Sequence, residues 1–364
     1  MANPYELWST RKNLGIMRDE KAEDWYFGQF FNAGTINSTD EWIDFEKLPI
    51  RSRRLAPFVK PLGKGRGILD DKVKGFRFKP ANILIDEAVD PLRPLTQQPG
   101  ITGGMLEMAK LSTMQKVALI KAEMLREGML ATQRRWEWMK ARAIIDGKVT
   151  CTYEDGAVAL VDFLRAAGHT EVRTVGNYYG DAGVSILDHW QTVVDTMNNA
   201  EFGGFPTRIT MPGAVATIVR KNAEIMQHMD INIRGASVTV ERGLVSGGAN
   251  GGKVYKFGEL LIGGASGIRI ELWVNDETYT TDVGTQQRYL AANEVVFTST
   301  ADAIKGYDCF GMIVDRDAEY QALPIFPKNY LTGDRVKTEN LSIESAPLFV
   351  PINANATYKA TVLA

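Results

Sequence analysis

The sequence has little of what several large protein classes require. Its two cysteines, Cys151 and Cys309, among 364 residues are too few for a disulfide framework or a cysteine-built zinc site. We expect a reducing compartment, with both cysteines buried as small apolar residues. No run of eighteen apolar residues occurs, so no membrane-spanning helix is expected. The first eleven residues include Glu6 and lack an apolar stretch, which argues against a secretory signal peptide.

The chain also lacks an excess of either charge. It has 42 Lys and Arg against 44 Asp and Glu, a net charge of −2, whereas proteins that read or condense nucleic acid normally carry a basic excess. A hydrophobic content of 45% and a charged content of 24% are typical of globular proteins and exclude bulk disorder and a membrane protein. The length is sufficient for two domains and a large core.

No constellation of catalytic residues stands out. The Gly-Lys-Gly-Arg-Gly segment at 63–67 resembles a phosphate-binding loop but lacks the Ser or Thr that follows the lysine of a Walker motif. The histidines are isolated from one another and from carboxylate pairs, so they do not suggest a metal site: His169, His189 and His228. Asp315 and Asp317 are expected to point to opposite faces of a strand or to flank a turn, which disfavours an acid and base pair. We therefore expect no enzyme, no cofactor and no metal.

The longest regular pattern in the sequence covers residues 105–146. This segment has no proline and one glycine, and it is rich in residues that favour helices. Apolar residues recur at spacings of three and four, which predicts one helix of about thirty-five residues, about 50 Å long. Ser112 or Thr113 is a candidate cap at its start, and Gly147 lies where a terminal glycine is expected. The absence of strict heptads favours packing against a sheet in an extended subunit over a coiled coil.

Two unusual segments precede this helix. Residues 1–50 contain aromatic residues without a period, which predicts an arm that packs on a neighbour and has no core of its own. Residues 51–90 include the most basic stretch of the chain: Arg51, Arg53, Arg54, Lys60, Lys64, Arg66, Lys72, Lys74, Arg77 and Lys79. Strand-like residues at 58–59 and 76–78 indicate a long basic hairpin. We expect both segments to be poorly folded in an isolated subunit.

The rest of the chain mixes strands and helices. Hairpin strands are predicted at 149–153 and 157–163, helices at 185–199 and from Pro212 to about 229, and a strand between them at 208–211. Further strands are predicted at 237–242, 253–257, 259–262, 268–274, 294–298 and 307–312, with loops at 247–252 and 275–287. This order indicates an α+β protein and not a doubly wound sheet.

The last sixty-five residues carry the most specific signal. Asp315, Asp317 and Ala318 are followed by Phe-Pro-Lys-Asn-Tyr at 326–330, Thr-Gly-Asp at 332–334 and Ser-Ala-Pro-Leu at 345–348, and a strand is predicted at 358–363. In order and spacing, these blocks resemble the C-terminal part of the major capsid protein of bacteriophage lambda and its family. The resemblance implies the Hong Kong 97-type capsid fold, whose arm, extended loop and long helix occur in the same order here.

The resemblance implies four parts and a structural function. These parts are an N-terminal arm at 1–52, an extended loop at 53–90, a peripheral domain at 91–183 and 305–364 with a spine helix at about 105–146, and an axial domain at 184–304. The implied function is that of the major capsid protein of a tailed bacteriophage. Such a protein self-assembles as pentamers and hexamers into an icosahedral head shell around double-stranded DNA. We expect it in the virion, after assembly in the host bacterial cytoplasm.

Partners and contacts also follow from the resemblance. A separate scaffold protein is expected, because only some fifty residues precede the loop, together with a portal and a trimeric decoration protein at the threefold positions. Packaged DNA is expected to bind only weakly and without specificity, and no membrane and no covalent crosslinks are expected. Contacts between subunits are assigned to the basic residues Arg51, Arg53, Arg54, Lys60, Lys64, Arg66, Lys72, Lys74 and Arg77 and to the aromatic residues Trp8, Trp25 and Tyr26. For the aromatic residues, packing within the capsid layer is the alternative.

Two other functions are compatible with parts of the pattern. An encapsulin-type nanocompartment shell would share the fold but enclose an enzyme, and a stand-alone α+β enzyme would share only the fold class. The lambda-like C-terminal blocks favour the virus. Neither alternative accounts for an arm without its own core beside a basic hairpin.

Overall fold

The computed structural model describes residues 7–18, 25–47, 74–90, 112–153, 155–225, 253–262, 268–281, 283–334 and 337–364. Its helices are Thr10–Arg18 (α1), Thr113–Ile145 (α2), Ile186–Asn199 (α3), Gly213–Lys221 (α4) and Ala301–Ile304 (α5). Its strands, β1 to β18 in chain order, are Gly34–Asn37, Ile43–Lys47, Lys74–Phe78, Ile83–Ala88, Lys148–Thr152, Val158–Asp162, Thr170–Val172, Arg208–Met211, Val254–Ile262, Ile268–Asn275, Thr278–Thr280, Gln286–Arg288, Glu294–Thr298, Gly306–Phe310, Phe326–Thr332, Thr338–Ser345, Pro347–Pro351 and Thr357–Thr361. The predicted α+β class is confirmed. Within these ranges, no helix combines the length and apolarity needed to cross a membrane.

The long helix α2 begins at a cap that the sequence predicts. It has 33 residues, which corresponds to about 50 Å. The Oγ of Ser112 accepts the amide of Gln115 at 3.3 Å, and the Gln115 side chain accepts the amide of Ser112 at 2.9 Å. This reciprocal arrangement satisfies two backbone donors that the first turn would otherwise leave unpaired. Residues 105–111, also predicted as helix, lie outside the described residues.

The other end of α2 is attached to the largest sheet. Gly147 follows the helix with a φ of +65°, a conformation that favours glycine. The half-buried guanidinium of Arg165 donates to the last carbonyl oxygens of the helix, 2.8 Å from that of Ile145, where the helix dipole favours a cation. Lys359 of β18 lies 2.8 Å from the carboxylate of Asp146. These contacts hold the end of the helix against the sheet.

The largest sheet has six strands in the order β7-β18-β13-β8-β10-β9. The β13 strand runs antiparallel to β8 and β18, whereas β10 runs parallel to β8. Because strand side chains alternate, every second residue of the central strands faces α3 and α4 and forms one core with them. Trp190, Val219, Ile209 and Leu272 are fully buried there. One of the last strands of the chain thus pairs with strands from its middle.

The smaller sheets pack along the long helix. The β1-β14-β17 and β15-β16-β4 sheets have three strands each, and the β2-β3, β5-β6 and β11-β12 ribbons have two. In its N-terminal half, α2 buries Met124 and Leu125 against Ile343 of β16. In its C-terminal half, it buries Ile144 in a second core with Phe349 of β17. The helix therefore connects two hydrophobic cores.

The described part of the arm packs on its own subunit. The α1 helix buries Met17 against Ile120 of α2, and a 3-10 turn at Phe27–Phe30 buries Phe27 and Phe30. The β1 strand pairs in parallel with β14, from Gly34 opposite Tyr307 onward. The arm thus packs on other elements and has no core of its own, as predicted, and for residues 7–18 and 25–47 the neighbour that covers it includes the body of the same chain. The aromatic residues lacked a period because they occupy a short turn, and their cover comes from distant parts of the chain.

Other differences concern partners and boundaries. The β3 strand pairs with β2, and the predicted strand at 58–59 lies outside the described residues. The β4 strand, placed in the loop by the sequence, joins β16. Residues 275–287, predicted as a loop, contain the β11-β12 ribbon, and the helix after Pro212 ends at Lys221. The predicted strand at 237–242 and loop at 247–252 also lie outside the described residues.

Candidate assembly surfaces

The β2-β3 ribbon flanks the basic segment at 48–73, and the cations of its described side chains are paired within the subunit. Arg77 donates through Nε to Asp44 Oδ1 at 2.7 Å and through Nη2 to Asp44 Oδ2 at 3.1 Å. Lys79 lies 2.8 Å from Glu41. The hydrogen bond from Arg77 lowers the pKa of Asp44, and the hydrogen bond from Lys79 lowers that of Glu41. Arg77, assigned to a neighbouring subunit from the sequence, thus has a partner in its own chain.

Aromatic packing attaches this ribbon to the body of the subunit. The ring centroid of Phe78 lies 6.1 Å from that of Phe45 and 5.5 Å from that of Phe163. Phe163 follows the β5-β6 ribbon, which itself follows the long helix. The two strands that lead to and from residues 48–73 are therefore fixed relative to α2.

The outer face of the β15-β16-β4 sheet is acidic. Cross-strand register places Leu84 opposite Glu344, and Asp86 in one row with Ser342 and Lys328. Lys328 contacts two carboxylates from the turn beside this face, Asp315 at 2.9 Å and Asp317 at 2.5 Å. The hydrogen bond to Asp317 raises the pKa of Lys328. Leu84 is 65% exposed, so the face also offers apolar area.

This acidic face was not identified from the sequence. Asp86 and Glu344 are more than 250 positions apart in the chain and meet only because β4 pairs with β16. For Asp315 and Asp317, the prediction of a turn is confirmed: Asp315 caps a 3-10 turn at Arg316–Ala318 that contains Asp317, and both carboxylates contact Lys328. The face therefore carries four carboxylates, those of Asp86, Glu344, Asp315 and Asp317, against one ammonium, that of Lys328, which is an excess of three negative charges.

The outer face of the β5-β6 ribbon carries two exposed apolar side chains, which lie opposite Thr150 and Thr152. Val158 is 61% exposed and Leu160 is 59% exposed, whereas Val161 and Phe163 are buried in the core. The sequence contained a signal for this face. Residues 157–161 are apolar without interruption, and in an antiparallel ribbon such a run places apolar side chains on both faces.

The three aromatic residues assigned to contacts lie in different environments. Tyr26 is buried in its own subunit, where its hydroxyl lies 2.5 Å from Thr210 Oγ1, so the alternative of packing within the capsid layer describes it. Trp8 is half-buried beside the core of α1 and α2, with the ammonium of Lys12 4.0 Å from its ring centre. Trp25 is half-buried. For Trp8 and Trp25, a contact with another subunit stays a prediction.

Seven of the nine basic residues assigned to contacts lie outside the described part of the chain: Arg51, Arg53, Arg54, Lys60, Lys64, Arg66 and Lys72. Lys74 is placed by its backbone alone, at the start of β3.

The described residues show no reactive centre. They contain no group of three or more His, Cys, Asp or Glu side chains arranged to hold a metal. Burial raises the pKa of the Cys309 thiol to about 12 and lowers that of the His189 imidazole, so at neutral pH the first is a thiol and the second is uncharged. Cys151 is half-buried, whereas the sequence predicted both cysteines to be buried. His228 lies outside the described residues.

The fold and these surfaces define a class of protein. The described residues have the arrangement of a shell-forming capsid protein of the Hong Kong 97 type. An arm packs on a long helix, two paired strands flank the basic segment at 48–73, and the strand-rich C-terminal part returns to both cores. Its exposed acidic and apolar faces are suited to contacts with other chains.

The family follows from the sequence match. The chain belongs to the phage major capsid protein E family, whose model matches residues 21–362. It is therefore a structural protein of the phage head that self-assembles into an icosahedral shell. The predicted family and function are confirmed, and the family match is to a viral capsid protein and not to an encapsulin or an enzyme.

The chain is also similar to several solved structures. The chain is similar to a prophage capsid protein from Escherichia coli CFT073, with a TM-score of 0.69 and 16% identity over 99% of this chain and 100% of that chain. It is also similar to a phage-related protein from Bordetella bronchiseptica RB50, with a TM-score of 0.45 and 10% identity over 96% and 95% of the two chains. For a chain of Gordonia phage Cozz, the TM-score is 0.44 and the identity is 12%, over 95% of this chain and 88% of that chain. No curated protein matches the chain.

Proposed function

We propose that the shell built by this chain is the head of a tailed phage, that it encloses double-stranded DNA, and that pentamers and hexamers of the chain are its capsomers. The observation that carries the proposal is family membership across residues 21–362. Assembly takes place in the host bacterial cytoplasm. Because the chain has a net charge of −2, its contacts with DNA are weak and non-specific.

We further propose that the parts of the chain have the roles of arm, extended loop, peripheral domain and axial domain. The boundaries from the sequence, 1–52, 53–90, 91–183 with 305–364, and 184–304, need two changes. The pairing of Ile83–Ala88 with Thr338–Ser345 supports the inclusion of Ile83–Ala88 in the peripheral domain. Strand pairing supports the inclusion of Thr170–Val172 and Thr357–Thr361 in the axial domain, since both belong to the six-stranded sheet.

The proposed contact between subunits joins the basic loop of one chain to the acidic sheet face of another. Residues 48–73 contain seven Lys and Arg and two Asp, an excess of five positive charges. The face defined by Asp86, Glu344, Asp315, Asp317 and Lys328 has an excess of three negative charges. Complementary charge of this kind sets orientation and partner choice even where each exposed pair contributes little.

Reversing the charge of this face is expected to block assembly. A single Asp86→Lys change should alter shell yield only mildly, because one exposed pair contributes about 0.2–1 kcal/mol. Combined Asp86→Lys and Glu344→Lys changes should leave the subunit folded and abolish shells, as measured by sedimentation and negative-stain images. Adding Lys64→Glu and Arg66→Glu should restore part of the yield, and Asp195→Lys on α3 is the matched surface control. Normal shells from the double variant would rule out this face as the contact.

The proposed partners are a separate scaffold protein, a portal and a trimeric decoration protein at the threefold positions. A trimer that spans three subunits would add contact area at the seams between capsomers and would dissociate slowly. We expect the chain produced alone to form few regular shells and to form uniform shells when produced with its neighbouring phage genes. Boiled particles should migrate as a monomer on a denaturing gel. Uniform shells from the chain alone would remove the need for a scaffold, and a covalent ladder would show crosslinks.

A further inference from the structure

A buried carboxyl group connects the arm to the long helix. Glu137 lies in the C-terminal half of α2 and is 1% exposed. Its Oε1 accepts the backbone amide of Phe27 at 2.6 Å, the first residue of the turn Phe27–Phe30. This turn carries two fully enclosed aromatic rings, Phe27 and Phe30, into the core beneath the helix. The carboxyl group and the turn therefore exclude water from each other.

Among the residues that the structure describes, no cation contacts Glu137. From the arm, it meets the amides of Phe27 and Gly28; from the segment between β10 and β11, it faces the buried carboxyl group of Glu277. Lys140, on the same helix, attracts it from a distance but pairs with Asp308 at 3.0 Å. The enclosed phenol of Tyr289, after β12, also senses both carboxyl groups. A negative charge at Glu137 would be buried beside a second acid.

We propose that the protonation state of Glu137 controls the attachment of the arm. The neutral carboxyl group holds the turn Phe27–Phe30 on the long helix, and its ionisation releases the turn. An ionised Glu137 would still accept the amide hydrogen of Phe27. However, burial and the neighbouring Glu277 disfavour the charge by more than one amide stabilises it. Because the turn covers the carboxylate, water reaches Glu137 only when the arm lifts.

The direction of the pH effect follows from the proton count. Burial, with a smaller contribution from Glu277, raises the pKa of Glu137 to about 8 from an ordinary value near 4.5. Between these values, the attached arm binds a proton that the released arm does not, so attachment weakens as the pH rises. It is strongest below about pH 4.5, and the equilibrium for release grows by up to about tenfold per pH unit until about pH 8. Above that value, the effect is complete.

This inference is independent of the contacts proposed between subunits. It concerns a change within one chain and can be measured on purified capsomers or unassembled subunits. It would give the subunit two arm positions that protons select, whether or not the basic loop binds the acidic sheet face.

The test is hydrogen exchange of residues 26–31 in the full-length protein between pH 5 and 9, corrected for the intrinsic pH dependence of exchange. In the natural protein, protection of this segment should fall by about a hundredfold or more across the range. In Glu137→Gln, which keeps the acceptor oxygen, protection should be high and independent of pH. Glu123→Gln, on the same helix but half-buried, should behave like the natural protein.

A second variant guards against misfolding of the first. Glu277→Gln keeps Glu137 and removes the neighbouring acid that raises its pKa. The loss of protection with rising pH should therefore be smaller than in the natural protein and should be complete at a lower pH. Equal pH dependence in the natural protein and in a folded Glu137→Gln variant would overturn the proposal. So would constant protection of residues 26–31 in the natural protein from pH 5 to 9.

Discussion

Gly306→Ala is expected to detach the arm from its subunit and to abolish shells. Gly306 opens β14, and the arm crosses it closely: a Cβ at this position would lie 2.5 Å from the carbonyl oxygen of Phe30 and 2.9 Å from the Cα of Phe31. Both are backbone atoms, so they cannot rotate away. The carbonyl oxygen of Gly306 also accepts the amide of Ala33 at 3.0 Å. We expect a loss of about 3 kcal/mol in the free energy of unfolding, at the upper end for overpacking.

The measurement is chemical unfolding of the subunit together with shell yield. Gly168→Ala is the matched control, because a Cβ at Gly168 would have no atom within 4 Å. The control should unfold at nearly the same denaturant concentration as the natural protein and assemble normally. If Gly306→Ala were equally harmless, the close passage of the arm over β14 would not exist in solution.

The features that could be predicted from sequence are those set by neighbouring residues. The cap formed by Ser112 and Gln115 needs only four consecutive residues, and the end at Gly147 needs only its backbone freedom. The strands Arg208–Met211 and Glu294–Thr298 were predicted at their observed positions, because alternation marks a strand without reference to its partner.

Strand partners could not be predicted, and the candidate surfaces depend on them. The β3 strand could pair with any strand of suitable pattern, and its choice of β2 places Arg77 opposite Asp44. The basic residues were visible in the sequence, but the carboxylates that neutralise them were not. Likewise, Asp86 and Glu344 form one face only because β4 joins β16.

Glu137 shows the same limit within a helix. A glutamate between two tryptophans in a long helix is usually placed at the surface by sequence reasoning, since glutamate is seldom buried. Its burial depends on the arm, because the backbone amide of Phe27, 110 positions earlier in the chain, donates a hydrogen bond to its carboxyl group. Periodicity within the helix contains no information about that partner.

Lys121→Met is expected to cause the largest loss of stability. The side chains of Lys121 on α2 and Glu339 on β16 are 7% and 19% exposed, and their charged atoms lie 2.5 Å apart. Asn329 of β15 donates to the same carboxylate at 2.8 Å, and Asn13 of α1 donates to Asn329 at 2.7 Å. This chain of contacts connects the arm, the long helix and the sheet. Removing the ammonium leaves a nearly buried carboxylate without its cation, which typically costs about 3–5 kcal/mol.

A double variant separates this effect from simple loss of packing. In Lys121→Met combined with Glu339→Gln, no buried charge is left and Asn329 keeps its acceptor oxygen, so most of the loss should be recovered. Lys116→Met, one turn earlier and half-buried, is the control and should change the free energy of unfolding by less than about 0.5 kcal/mol. Because α1 is attached to the same network, exchange of residues 10–18 should increase in Lys121→Met and return toward normal in the double variant. A loss that persisted unchanged in the double variant would mean that methionine cannot pack at this position, and the ion pair would then not be what fastens α1.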